Sequence, residues 1–157
     1  MTDSTPGIAQ LATRIAFLIA QLGAHLADQF EHRLAPLGVD PHAYAVLAAL
    51  SARDGQSQRE LSAQLDIHRN VMVSVIDTLE HQQLAQRLRH PQDRRAFAVT
   101  LTDEARDLLP SLDELGRTLD DEVTTPLSAS ERAVLLDLLQ RLSNGAGLIP
   151  GVHPGLR

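Results

Sequence analysis

Apolar residues recur three and four positions apart from Ile8 through Leu11, Ile15, Ile19, Leu22, Leu26 and Phe30 to Leu34, which is the spacing of one helical face. The pattern stops before Pro36 and Gly38 and predicts one helix over residues 8–35. That is more than a small domain needs for its own core, so its far end is expected to pack on a second subunit. Asp40 followed by Pro41 reads as the cap and first position of a second helix, which carries Tyr44, Leu47 and Leu50 and ends near Gly55. Ser57-Gln58-Arg59-Glu60 is a capping box, in which hydroxyl and carboxylate satisfy each other's backbone donors; its helix buries Leu61 and Leu65. After a tight turn at Asp66-Ile67, a fourth helix starts near His68 and turns Met72, Val75, Ile76 and Leu79 inward. Asn70, Val73, Ser74, Asp77 and His81 then fall on the solvent side, with Arg69 on the flank. Two short helices joined this way form a helix-turn-helix pattern.

Beyond it, Leu84 to Arg89 and Arg94 to Leu101 alternate on either side of His90-Pro91-Gln92-Asp93, predicting a β-hairpin with Leu84, Leu88, Phe97, Val99 and Leu101 facing inward. Thr102 caps a fifth helix carrying Leu108, Leu112, Leu115 and Leu119, in which Pro110 predicts a bend or break. Ser128-Ala129-Ser130-Glu131 is a second capping box and opens a last helix with Val134, Leu135, Leu138, Leu139 and Leu142, ended by Asn144-Gly145. The Gly- and Pro-rich tail, residues 145–157, is expected to be mobile unless it packs on a neighbouring subunit. Together these elements predict a mainly α fold with a small β-hairpin, one domain over residues 1–157.

Composition narrows the chemistry. The 157 residues contain no cysteine, which excludes disulfides, thiolate metal sites, cysteine nucleophiles and thiol redox switches. No apolar run is long enough to span a membrane and no signal peptide is present, so a cytoplasmic protein is expected. Phe17, Phe30, Tyr44 and Phe97 are the only aromatic residues, too few for base-stacking platforms. The formal charge of −6 argues against nucleic acid until its distribution is considered. Residues 87–95 hold four Arg and one acid, whereas residues 102–140 hold three Arg and ten acids. No phosphate loop and no Ser-His-Asp arrangement is visible, so no enzyme is expected and no cofactor is implied. His25, Asp28 and His32 share one side of the first helix but lack a fourth ligand, and they are read as a polar helix flank and not as a metal site.

The order of elements resembles a winged helix-turn-helix (residues 40–101) between dimerisation helices (residues 8–35 and 102–144), as in the multiple-antibiotic-resistance regulator (MarR) family of transcription factors. The resemblance runs from Leu11 to Leu142 and rests on Arg59-Glu60-Leu61-Ser62, Leu79-Glu80, His90-Pro91-Gln92-Asp93-Arg94-Arg95-Ala96 and Val99-Thr100-Leu101-Thr102. It implies a homodimeric, ligand-responsive repressor that binds double-stranded DNA at a pseudo-palindromic operator and is released by a small aromatic or anionic effector. Two positions depart from the family pattern. Gln83 stands where Gly is usual, so the turn into the wing is made without a residue that readily takes positive φ. Ser74 stands where Arg is frequent, removing a guanine reader worth roughly 1–3 kcal/mol of discrimination.

The physical roles follow from groove dimensions and charge. Asn70 is suited to adenine, Ser74 to either base type and Val73 to a thymine methyl, while His68 and Arg69 sit near phosphates. Arg94 or Arg95 is expected in the minor groove, and the family resemblance implies that Asp93 braces the wing arginine. Arg87 and Arg89 add phosphate charge, and Ser57, Gln58 and Arg59 clamp the backbone at a helix N-terminus. The resemblance makes His42 and Tyr44 candidates for an effector cavity between the first, second and fifth helices. The alternative is a winged-helix interaction module without operator recognition, which the acidic net charge would suit.

Overall fold

The computed structural model describes residues 7–156. Among the described residues the chain forms six α-helices and a three-stranded sheet: α1 (Ile15–Leu34), α2 (Pro41–Ala52), β1 (Gln56–Ser57), α3 (Gln58–Leu65), α4 (Arg69–His81), β2 (Ala85–Arg89), β3 (Phe97–Leu101), α5 (Asp103–Val123) and α6 (Ala129–Gly145). Asp40 accepts from the Ala43 N–H and Thr102 from the Ala105 N–H, and both capping boxes are formed. These caps fix four of the six helix starts.

The first helix is shorter than its apolar pattern. It begins at Ile15 behind an extended Arg14 that makes no side-chain cap, and residues 8–13 form turns instead. Leu11 donates to the Ile8 carbonyl and Arg14 to that of Leu11, at 3.0 Å each. A three-residue apolar step suits such tight turns as well as an α-helix, so spacing alone does not separate them. Nor does α2 reach Gly55. Asp54 accepts from the Gly55 and Leu101 N–H groups at 3.0 Å each, drawing the chain off the helix and onto the sheet. There Gln56 and Ser57 pair antiparallel with Val99 and Ala98 as a two-residue strand, too short for any periodicity to reveal.

The sheet order is β1-β3-β2, with Ala85 opposite Leu101, Arg87 opposite Val99 and Arg89 opposite Phe97. Leu84, Val99 and Leu101 are buried as expected, but Leu88 is 49% and Phe97 54% exposed. The register gives the reason. Leu88 lies on the face opposite Val99, and Phe97 shares Val99's face but sits beyond the end of the core. The core itself joins Leu34, Val46, Leu47, Leu50, Leu61, Met72, Ile76, Leu79, Val99 and Leu112. α5 runs through Pro110 without a break, and Pro110 lies on its exposed side.

Outside this core, α1 and α6 expose long apolar stripes. Ile15, Ile19 and Leu22 on α1, and Val134, Leu136, Leu138, Leu139 and Leu142 on α6, each leave two-fifths or more of their surface open. The tail does not stand free: Leu156 packs partly buried against the core of its own chain.

Candidate nucleic-acid interface

The exposed side of α4 presents Asn70, Val73, Ser74 and Asp77, while Met72, Val75, Ile76 and Leu79 hold its inner side. His68 caps the helix, its Nδ1 accepting from the Asn70 N–H at 3.2 Å, which commits the ring to the helix start. Asp66 turns the chain between α3 and α4 at φ 52°. Short polar residues tolerate this left-handed conformation better than others. Gln83 makes the turn from α4 to β2 at φ 60°, the conformation its position demands although it is not glycine.

The cations divide into two sets. Arg87 is only 19% exposed: its guanidinium donates to Asp77 at 2.7 Å and to Gln58 at 3.0 Å, and it is ion-paired with Glu80. Glu80 also accepts from the Arg87 backbone N–H at 2.8 Å. Arg87 therefore does not extend towards a phosphate. It clasps the wing to the two helices of the helix-turn-helix and neutralises two carboxylates on α4. Gln58 is likewise engaged with the wing and does not clamp a backbone. Arg53 pairs with Glu60 and Arg106 with Asp54. By contrast Arg59, Arg69, Arg89, Arg94 and Arg95 are exposed and, among the described residues, form no ion pair.

At the wing tip Asp93 accepts from the Arg95 N–H at 2.9 Å, and the Ala96 N–H closes onto the Asp93 carbonyl at 3.1 Å. Asp93 thus braces the arginines through the backbone, not through a guanidinium. Ser57 is both a strand residue and the cap of α3, with its N–H and hydroxyl on Glu60 at 2.8 Å each. These bonds to the charged carboxylate hold the Glu60 carboxyl below its ordinary range.

Sequence and structural comparisons fit this geometry. The MarR family model matches residues 40–97, from the cap of α2 to the start of β3. The structure of CouR, a transcriptional repressor bound to a 23-mer DNA duplex, is 30% identical, covers 89% of this chain and 99% of its own, and superposes with a TM-score of 0.76. The chain belongs to the MarR family. Wild-type apo MarR from E. coli is 25% identical with a TM-score of 0.71, covering 82% of this chain and 96% of its own. A putative transcriptional regulatory protein for the hcr operon of Thauera aromatica is 31% identical over 67% of this chain; the match spans 63% of that relative's length.

This MarR-family chain also has a partly open cavity of about 840 Å³ between α1, α2, α3, α5 and the tail. Tyr44 stands on its wall, edge-on to Phe30 at 4.9 Å between ring centres. Burial raises the Tyr44 phenol above its ordinary value, and the charges of Asp113 and Asp120 push it the same way. His42 is not on the cavity: two residues along a helix is roughly 200° of rotation, which turns it to the other side. Residues 149–153, 155 and 156 close one side of the cavity, where a mobile tail was expected. Gly147 and Gly151, at φ 71° and 73°, supply the turns that bring the tail back.

Among the described residues, no group of three or more His, Cys, Asp and Glu is placed to hold a metal ion, and no helix is long and apolar enough to cross a membrane.

Proposed function

We propose that this MarR-family chain is a cytoplasmic, homodimeric transcriptional repressor and not an enzyme. In this reading it places α4 in the major groove and the tip between β2 and β3 in the minor groove of a pseudo-palindromic operator, and an organic effector in the cavity releases it. The observation that carries the reading is the sorting of cations. Acids on α4 are neutralised from behind by Arg87, while five arginines around the helix-turn-helix and wing remain without ion pairs. Such a surface gains from releasing the counterions of DNA in spite of a net charge of −6. Within it, Asn70, Val73 and Ser74 are assigned to base edges, Arg94 and Arg95 to the minor groove, and Arg59, His68, Arg69 and Arg89 to phosphates, whereas both Ser57 donors are taken by Glu60. The apolar stripes on α1 and α6 support the dimer, since stripes of this length are buried in a stable protein. Two recognition helices then read half-sites about one helical turn apart.

Fluorescence anisotropy tests this on DNA from immediately upstream of the gene, against scrambled DNA, across several salt concentrations. The expected result is preference for the upstream fragment, a steep salt slope, and strong weakening by the Arg94→Ala/Arg95→Ala double substitution. Equal binding to both fragments, or a double variant that behaves as wild type, refutes it in favour of an interaction module.

A further inference from the structure

The effector cavity carries a chemical preference of its own. At about 840 Å³ it has room for a drug-sized organic molecule. Its wall is largely hydrocarbon, with Leu26, Leu65, Leu119 and the aromatic pair of Phe30 and Tyr44. Among the described lining residues the only acidic side chain is that of Glu31, an exposed residue of α1, and none is Arg. The chain has no lysine at all, and Arg33, two residues from Glu31, is turned away into an ion pair with Glu122. His153 also lines the cavity, its Nδ1 accepting from the Gly155 N–H at 3.1 Å. Asp113 and Asp120 on α5 add their negative charge near Tyr44 and, with burial, raise its phenol above the ordinary value.

A carboxylate or phosphate entering such a site gives up part of its hydration to a wall without Arg or Lys, while an ammonium meets the Glu31 carboxylate beside the Phe30–Tyr44 pair. We propose that the cavity is selective for an aromatic or similarly flat hydrocarbon bearing an amine, held with its cationic end towards Glu31 and Tyr44, and that it rejects the corresponding carboxylate. Of the two properties that the family resemblance implies for an effector, aromatic and anionic, the cavity fits the first. This inference rests on the effector reading proposed above and specifies its ligand class.

Three probes of one size separate the possibilities: 2-naphthylmethylamine, 2-naphthylmethanol and 2-naphthoate. Each is titrated calorimetrically into the full-length protein and into Glu31→Gln at neutral pH, and each is added to the protein–operator complex in the anisotropy assay. The amine is expected to bind about tenfold or more tighter than the carboxylate, which corresponds to about 1.4 kcal/mol. Glu31→Gln is expected to narrow that gap several-fold by weakening the amine and sparing the alcohol. Carboxylate binding equal to or tighter than amine binding overturns the proposal and leaves the effector reading standing. Selective amine binding that leaves the operator complex intact supports the cavity's preference and overturns the effector reading. Failure of all three probes to bind at millimolar concentration overturns both.

Discussion

Replacing Arg87 by alanine separates a clasp from a phosphate contact. The substitution removes a charge-assisted pair with Glu80, whose side chain is 33% exposed, a bond to the 60% exposed Asp77, and a bond to Gln58. The half-buried pair falls in the range of hydrogen bonds to charged groups, about 1.5–3 kcal/mol. The pair with Asp77 is solvent-screened and adds about 0.2–1 kcal/mol. Allowing for the overlap of bonds that share one guanidinium, Arg87→Ala should cost about 2–3 kcal/mol. The matching assay is urea denaturation at fixed protomer concentration, read by helical circular dichroism, beside the salt dependence of operator binding. A clasp predicts lost stability and weaker binding with the slope of log K against log salt unchanged. Removing one phosphate contact per protomer, two in the dimer, flattens that slope by about 1.8, at about 0.9 for each phosphate. A variant as stable as wild type with a slope flatter by that amount would refute the assignment.

Four further outcomes are expected. Gln83→Gly should stabilise the protein by about 0.5–1 kcal/mol in thermal or urea unfolding, because relief of a left-handed residue outweighs the added freedom of the unfolded chain. The Ser62 hydroxyl is buried without a partner, and Ser62→Ala should raise stability by about 1 kcal/mol; a loss of that size would mean the hydroxyl is satisfied. The Glu60 carboxyl is held below its ordinary value, so its contribution is present above the unfolded pKa near 4.3 and fades as pH falls through the lower folded value. Glu60→Gln should therefore lose stability at neutral pH and show a shallower decline on acidification than wild type. Leu139→Asp on α6 should convert the dimer to monomers in light-scattering measurements and abolish operator binding.

Much of the fold was legible because its signals are local. The caps at Asp40, Ser57, Thr102 and Ser128 each act within three residues, and the stripe of α4 follows one helical period. The wing motif placed Arg94 and Arg95 on an exposed turn before any contact was known. What escaped the sequence depends on distant partners. Arg87 and Arg89 look alike in an alternating strand, and only the return of the strand past α4 brings Arg87 between Asp77, Glu80 and Gln58. Leu88 alternates as an inward residue should, yet the register with Ala98 turns it outward. The tail's fate was illegible because its glycines permit a free coil and a tight return equally, and packing at Leu156 decides between them.

Glu80 has one more consequence, which concerns association. β2 is an edge strand, since β3 lies between it and β1. An open edge offers unpaired N–H and carbonyl groups to any extended segment of another molecule, and Leu88 and Phe97 beside it would favour such a meeting. The Glu80 carboxylate occupies the Arg87 N–H on the β2 backbone, where a fourth strand would need a donor. The residue that anchors the clasp therefore also blocks growth of the sheet, guarding a basic and partly apolar hairpin against aggregation.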